Sequence, residues 1–536
     1  VKRIILVLLL FWVNVGQAQE KEHITLFTDR DIYTSGETIL FNVIVPSGEG
    51  SAMININLIN TRGKIICSVN RKISNDQANG FIYLPDSMKT DTYLICSSTR
   101  ENPMLTVKEL FICNRFAGLL ETTTVLRAKD ITSLVEKPVN EPKIEGIAKS
   151  YKAREKVKTT LRLPANFLTN IKDRLFVAVV ESTPGYNSQT FHMKSVQKKQ
   201  NIFEKEGIVV DGYVKDPSTG APFNGGCIFL SVPDSIPWID YLITGEDGYF
   251  HFQLKDYYGV VPVVVQGFDP EKKKLLKISL NQTDSLKEGV PAYESWTIQT
   301  DIQKSIGNSI EATTMRKIFN CQEISVINPQ FKERHEYPFY GVPTETVRPA
   351  LFIDLPDFTE ISRELLPGVK FRAFNRIPTL NILNPATLNY FNDPPLVLLN
   401  GIPVQDLNVI KNMGSKDIDR IEICRRERFY GDLAFPGVVA IYSSKQVNKI
   451  LPESDELIKL NLDAIQPDGY LNKAKEHIEN EPDLRKVLLW ESDIKPEETI
   501  TLDFETSDIK GSYKVIVRGM TRDGEVIYNE QFFEVN

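Results

Sequence analysis

The chain has 536 residues, 63 lysines and arginines against 70 aspartates and glutamates for a net charge of −7, and 42% hydrophobic residues. A chain of this length buries several cores without covalent staples, which argues against a small cysteine-scaffolded fold. The mild acidity argues against a nucleic-acid partner, because the basic runs Lys198-Lys199 and Lys272-Lys273-Lys274 sit among acids and lack interleaved aromatics.

Residues 1–18 read as a secretory signal peptide: Lys2 and Arg3 are a basic start, residues 4–13 an apolar run, and Gly16-Gln17-Ala18 a small-x-small cleavage signal. That run is too short for the roughly 20 residues that span a bilayer, and no cysteine follows it to carry a lipid. Cleavage removes two basic residues and no acid, so the charge becomes 61 − 70 = −9. The expectation is an exported protein, periplasmic or outer-membrane-associated, with no transmembrane segment of its own. The widely spaced cysteines Cys67, Cys96, Cys113, Cys227, Cys321 and Cys424 form no CxxC or other metal-ligand pattern and are expected as core thiols.

Residues 24–116 alternate short apolar runs with turn residues at the spacing of a β-sandwich. Their opening, Thr28-Asp29-Arg30 with Tyr33 and Gly36-Glu37 before an apolar strand, resembles the MG2 domain of the α2-macroglobulin family, and 19–116 is assigned to it. Residues 117–204 give alternating stretches at 143–145 and 155–163 and an apolar strand at 174–181, read as a second macroglobulin-like sandwich. At 205–283, the series Asp211-Gly212-Tyr213-Val214, Gly220-Ala221-Pro222 and Asp247-Gly248-Tyr249-Phe250-His251-Phe252 resembles the carboxypeptidase regulatory-like sandwich, a non-catalytic spacer in that family.

Residues 284–353 accumulate prolines and polar residues and are expected to connect, with little core of their own. An amphipathic helix at 358–366, stopped by Pro367-Gly368, leads into 354–447. There an apolar run at 396–399 meets Asn400-Gly401, a dipeptide suited to a tight hairpin turn. A short helix at 406–413, an alternating strand at 417–423 and an apolar strand at 437–442 follow. The set resembles the plug domain of TonB-dependent outer-membrane receptors. Only 536 − 445 = 91 residues remain beyond Lys445, too few for a large barrel of ~9–11-residue strands. Residues 448–536 combine a stretch at 455–480 read as helix or coil with strands near 487–490, 499–504, 513–517 and 530–535 that resemble a late macroglobulin domain, Trp490 being its core anchor. Four strands are thin for a sandwich, so they are expected to borrow upstream strands, with 321–326 a candidate, which makes the plug-like part an insertion.

The chemistry-bearing patterns are missing. None of the five histidines pairs at i, i+4, there is no H-E-x-x-H, G-x-S-x-G, P-loop or G-x-G-x-x-G, and Cys321-Gln322-Glu323 lacks the glycine and glutamine order of a macroglobulin thioester. No catalytic, cofactor or metal residue is assigned. The segment 429–436 places Phe429, Tyr430 and Phe435 in a turn-rich stretch and is the candidate partner-binding loop; the alternative is that Tyr430 and Phe435 fold back on their own sheet.

The fold class expected is therefore mainly β: tandem immunoglobulin- or macroglobulin-like sandwiches plus a small α+β plug-like domain. The combination resembles large envelope proteins of the Bacteroidota. It implies a non-enzymatic exported scaffold or adaptor that docks onto an outer-membrane barrel protein or envelope complex. The alternatives are an accessory of TonB-dependent transport and, third, a macroglobulin-like protease inhibitor without a thioester.

Overall fold

The computed structural model describes residues 24–45, 52–100, 104–117, 124–134, 142–194, 204–281, 289–327, 337–443, 451–472 and 481–536, apart from a few single positions and pairs within them, and residue 286. The expected signal peptide lies outside these residues. The chain forms two compact units: one from 1–205, 284–327 and 468–536, the other from 206–283 and 328–467. The architecture is mainly β.

In the first unit, the strands Thr25–Thr28, Thr38–Ile44 and Gln77–Tyr83 form one sheet. It faces a second sheet in the order Thr190–Lys194, Met104–Cys113, Asp91–Ser98, Met53–Asn60 and Ile65–Lys72. Between them lie Ile39, Phe41, Val43, Ile56, Leu58, Ile95 and Leu110, all fully buried and supplied by alternate strand positions. The Thr190–Lys194 strand, expected in the second sandwich, instead extends the first through its pairing with Met104–Cys113. Its two inward apolar residues, Phe191 and Met193, join Leu105 and Val107 in a core that local sequence does not announce.

The second sandwich of this unit is built from distant parts of the chain. Lys156–Arg162 lies between Lys143–Glu145 and Thr499–Glu505 in one sheet. In the other, Leu175–Glu181 lies between Val487–Ile494 and Gly511–Met520, with Val526–Val535 beyond. The C-terminal strands thus take their partners from 143–181. The candidate donor at 321–326 is instead engaged as Ile324–Val326 with Gly469–Leu471, a two-stranded ribbon. Trp490 packs edge-on to Phe176, with ring centroids 4.8 Å apart, and stacks on Phe27 at 5.9 Å.

The stretch expected to be a connector holds a 19-residue helix, Thr300–Ile318. Its buried residues Ile302 and Ile306 pack with Ile32, Phe111, Cys113 and Val125. The apolar stripe is one residue wide and is followed by Thr313 and Arg316, also buried, so it shows too little apolar periodicity to be read as a helix.

In the second unit, the strand path runs Trp238–Ile243, Cys227–Val232, Val260–Asp269, Lys274–Leu280, Gly207–Lys215 and Tyr249–Lys255. Leu457–Asp463 adds to Val260–Asp269; this is the stretch expected to be helix or coil, and partner pairing overrides its mixed-charge pattern. A mixed sheet follows in the order Glu345–Val347, Arg420–Cys424, Val438–Tyr442, Leu396–Leu399 and Ile402–Pro403, with the Leu396–Leu399 and Val438–Tyr442 pair parallel. Asn400 and Gly401 take φ of 48° and 82°, the type I′ turn that this dipeptide favours. The helix Phe358–Leu365 is capped by the Asp357 side chain, which accepts from the Glu360 N–H, and buries Phe358 and Ile361. Four apolar residues on each of the paired strands explain why this sheet is buried on both faces. Among the described residues, no helix is long and apolar enough to cross a membrane.

Candidate functional site

The Asp29-Arg30-x-x-Tyr33-x-x-Gly36-Glu37 signature closes an ionic junction inside the first unit. Arg30 donates from Nε to Asp29 Oδ2 at 2.9 Å and from Nη1 to Glu37 Oε1 at 3.1 Å. The Tyr33 hydroxyl donates to Asp29 Oδ1 at 2.7 Å, and the same oxygen accepts the Leu40 N–H at 2.7 Å. Gly36 is required by geometry: its φ is +85° and a Cβ there would lie 2.2 Å from Asp86 Oδ1.

Glu37, 2% exposed, is the centre. Its Oε1 accepts from Arg316 Nη2 at 3.0 Å, Lys486 Nζ at 2.8 Å and Thr313 Oγ1 at 3.1 Å, and its Oε2 accepts the Thr34 N–H at 2.7 Å. One carboxylate therefore holds the first sandwich, the Thr300–Ile318 helix and the lead into Val487–Ile494. Burial alone would raise the Glu37 carboxyl, but Arg30, Lys486 and Arg316 outweigh it and hold the group well below the usual carboxylate range. Burial pulls the Lys486 ammonium down, with Glu37 and Glu181 opposing. These charges are spent on one another, so the arrangement serves docking of elements. Sequence reasoning found the signature but not its partners, which have no local signal.

The candidate partner loop is a hairpin, Arg428–Tyr430 with Leu433–Phe435. Its three aromatics separate. Phe429 is 68% exposed. Tyr430 turns inward: its hydroxyl donates to the Ile239 carbonyl at 2.6 Å, and its ring lies 4.9 Å from Phe339 and 5.4 Å from Tyr241. Burial pushes its phenol up to about 12. Phe435 packs, half-buried, against a core that includes Leu398, Val438 and Tyr340. Tyr430 and Phe435 thus fold back on their own unit, and only Phe429 remains presented. Phe435→Ala is expected to cost about 2 kcal/mol, below the roughly 3–5 kcal/mol of a fully buried phenylalanine. Phe429→Ala should stay within ~0.5 kcal/mol. Urea unfolding of the two variants checks both.

A second exposed surface in the same unit was not singled out in the sequence. Leu351, Phe352 and Ile353, after the short 3-10 turn Pro349–Leu351, are 76%, 63% and 63% exposed. The loop is pinned from behind. Ser415 Oγ donates to the Ile353 carbonyl and accepts the Leu355 N–H, each at 3.1 Å, and Lys416 pairs with Asp354 at 2.5 Å. The available signal was an apolar tetrad, residues 350–353, between two prolines with no strand periodicity. The thiols of Cys96, Cys227 and Cys424 are buried among apolar neighbours. His335 lies outside the described residues. Among the described residues, no group of three or more His, Cys, Asp or Glu is placed to hold a metal ion.

The fold defines a mainly β protein of successive sandwiches with one small α+β layer. No family model matches the chain, and no curated protein matches its sequence. Among solved structures it is similar to trypsin-activated α2-macroglobulin from Escherichia coli, with 9% identity over 96% of this chain and 41% of that one, at a TM-score of 0.22. It is also similar to a Salmonella α2-macroglobulin mutant, with 10% identity, 97% and 40% coverage and a TM-score of 0.24. The chain thus spans about two fifths of the length of these macroglobulins. At such scores the whole chains do not superpose, and the sandwich architecture rests on the strand pairing itself.

Proposed function

We propose that this protein is a non-enzymatic scaffold or adaptor of the bacterial cell envelope, which docks through its second unit onto an outer-membrane barrel protein or assembly. The observation that carries this reading is the Leu351-Phe352-Ile353 loop. Three consecutive large apolar side chains stand in solvent on a backbone fixed by Ser415 and Lys416. A loop held rigid while exposing apolar surface loses little entropy on binding, which favours recognition. Phe429, presented on its own braced hairpin, is a further anchor.

The test places a photo-reactive phenylalanine analogue at position 352 or 429 and irradiates intact envelopes. A discrete adduct with an outer-membrane protein is the expected result, and its loss in Leu351→Ser/Ile353→Ser follows from the same reading. Adducts no stronger than those from an exposed polar position elsewhere in the unit, such as Glu271 after the Val260–Asp269 strand, overturn it. The plug-like resemblance supports a variant of this role, an accessory of TonB-dependent transport. It draws on the Asn400-Gly401 turn beside the parallel Leu396–Leu399 and Val438–Tyr442 strands. An adduct with a barrel that lacks its own plug would select that variant.

A further inference from the structure

Strands of both sandwiches of the first unit line one cleft of about 740 Å3, and among the described residues no further strand pairs with the outer edge of Val487–Ile494. Gln77–Tyr83 and Ile65–Lys72 are the last strands of the two sheets of the first sandwich, and Val487–Ile494 and Thr499–Glu505 end the two sheets of the second. Residues from all of these strands line the cleft. Along Val487–Ile494 the lining is continuous from Leu488 to Asp493, so the strand presents its edge and not one face. Along Gln77–Tyr83 the outward positions follow from the pairing. The Leu84 N–H donates to the Glu37 carbonyl and the Val45 N–H to the Asp76 carbonyl, so alternation directs the backbone of Asn79 away from Thr38–Ile44.

Open edges of this kind template the addition of another strand unless they are blunted or covered. The molecule itself lays extended chain here. The Ile324–Val326 and Gly469–Leu471 ribbon lines the cleft, with Ile324 and Phe81 in one core, and a Cβ on Gly469 would meet the Phe81 ring at 2.7 Å. The ribbon pairs with neither edge. The charges favour a basic guest. Of the four cations in the lining, Arg174 is bridged to Asp493, Arg71 to Asp468 and Arg485 to Asp483, and Lys72 is also engaged. Glu491, Asp503 and Glu505 have no ion pair among the described residues.

We propose that this cleft captures an extended, basic peptide segment of a partner protein, which adds as a strand to the open edge of Val487–Ile494. The guest's main chain bonds to the edge. Alternate side chains meet the Trp490 and Phe81 side of the cleft, and the intervening lysines or arginines meet Glu491, Asp503 and Glu505. Residues Leu488 to Asp493 extend about 17 Å, enough for five or six guest residues. The site is separate from the apolar loop of the second unit, so either assignment stands or falls without the other.

Fluorescence anisotropy of the full chain with a labelled (Val-Lys)4 peptide tests this. Saturable binding is expected, with a loss of about tenfold for (Val-Glu)4 and for the Asp503→Lys/Glu505→Lys protein, which carries these changes on side chains outside the core. A (Val-Lys)4 peptide N-methylated at every second residue, which removes the donors of one edge, should lose at least as much. No saturable binding overturns the proposal. So does binding that N-methylation leaves unchanged, which would mark a charged groove that reads side chains without strand pairing. Circular dichroism and the urea midpoint of the double variant confirm that it is folded when its affinity is read.

Discussion

Replacing Glu37 with glutamine is expected to destabilise the first unit by about 3–5 kcal/mol, because it removes the anion from a buried junction and leaves cations behind. Arg30, Arg316 and Lys486 all meet the same carboxylate oxygen at 2.8–3.1 Å, and neither Glu37 nor Lys486 has appreciable contact with water. The urea midpoint of the first unit measures the loss. A shift equivalent to less than about 1 kcal/mol would mean that Asp29 and Glu181 neutralise the cations unaided, and the central role of Glu37 would be wrong. The pH dependence has a definite sign. The folded state holds the Glu37 carboxyl well below its ordinary value of 4.5, so the unfolded chain binds the extra proton. The stabilisation is therefore present above about pH 4.5 and is lost as pH falls through the folded value. Glu37→Gln should show a flatter acid limb than the parent protein, a comparison that separates charge from packing.

Truncation after Glu481 is expected to unfold residues 143–181 while much of the first sandwich keeps its strands. Lys156–Arg162 has only the three-residue Lys143–Glu145 strand left when Thr499–Glu505 is removed, and Leu175–Glu181 loses both neighbours, Val487–Ile494 and Gly511–Met520. Val177, Val179 and Leu161 then lose Leu502, Val515 and Val517 from their shared core. Two or three strands without a covering sheet are not independently stable. Hydrogen exchange should fall to unfolded-chain rates across 143–181, with strong protection retained in Thr38–Ile44 and Met53–Asn60. Native-like protection in Leu175–Glu181 after the truncation would show that this segment folds without the C-terminal strands. The truncation also removes Lys486, so the first sandwich is expected to remain folded at a lower midpoint.

These two results bear on how the chain is organised. The second unit interrupts a sandwich whose halves lie at 143–181 and 487–535, and the flanks of its later segment meet where the Ile327 N–H donates to the Asp468 carbonyl at 2.7 Å. The first unit can thus close around the segment 328–467, because the chain leaves and returns there at adjacent residues. That arrangement leaves the second unit's loops to vary without disturbing the sandwich they interrupt.

What the sequence determined by itself was local. The alternation at 155–163, the Asn400-Gly401 turn and the amphipathic helix that starts at Phe358 each depend on side chains within a few residues, and each is found where those residues place it. The mainly β class follows from the same short-range periodicity. Tertiary structure alone decided the partners. The Glu37 to Lys486 contact joins positions 449 apart, the Thr300–Ile318 helix is held by a narrow apolar stripe that becomes legible only against Phe111 and Val125, and Leu457–Asp463 becomes a strand because Val260–Asp269 offers it an edge. The aromatic hairpin divides for the same reason: Tyr430 and Phe435 are drawn inward by Tyr241, Phe339 and Leu398, side chains far from them in sequence, while Phe429 is left largely exposed. Burial and ion pairing are properties of surfaces brought together, and the sequence states which residues can take part but not which of them will meet.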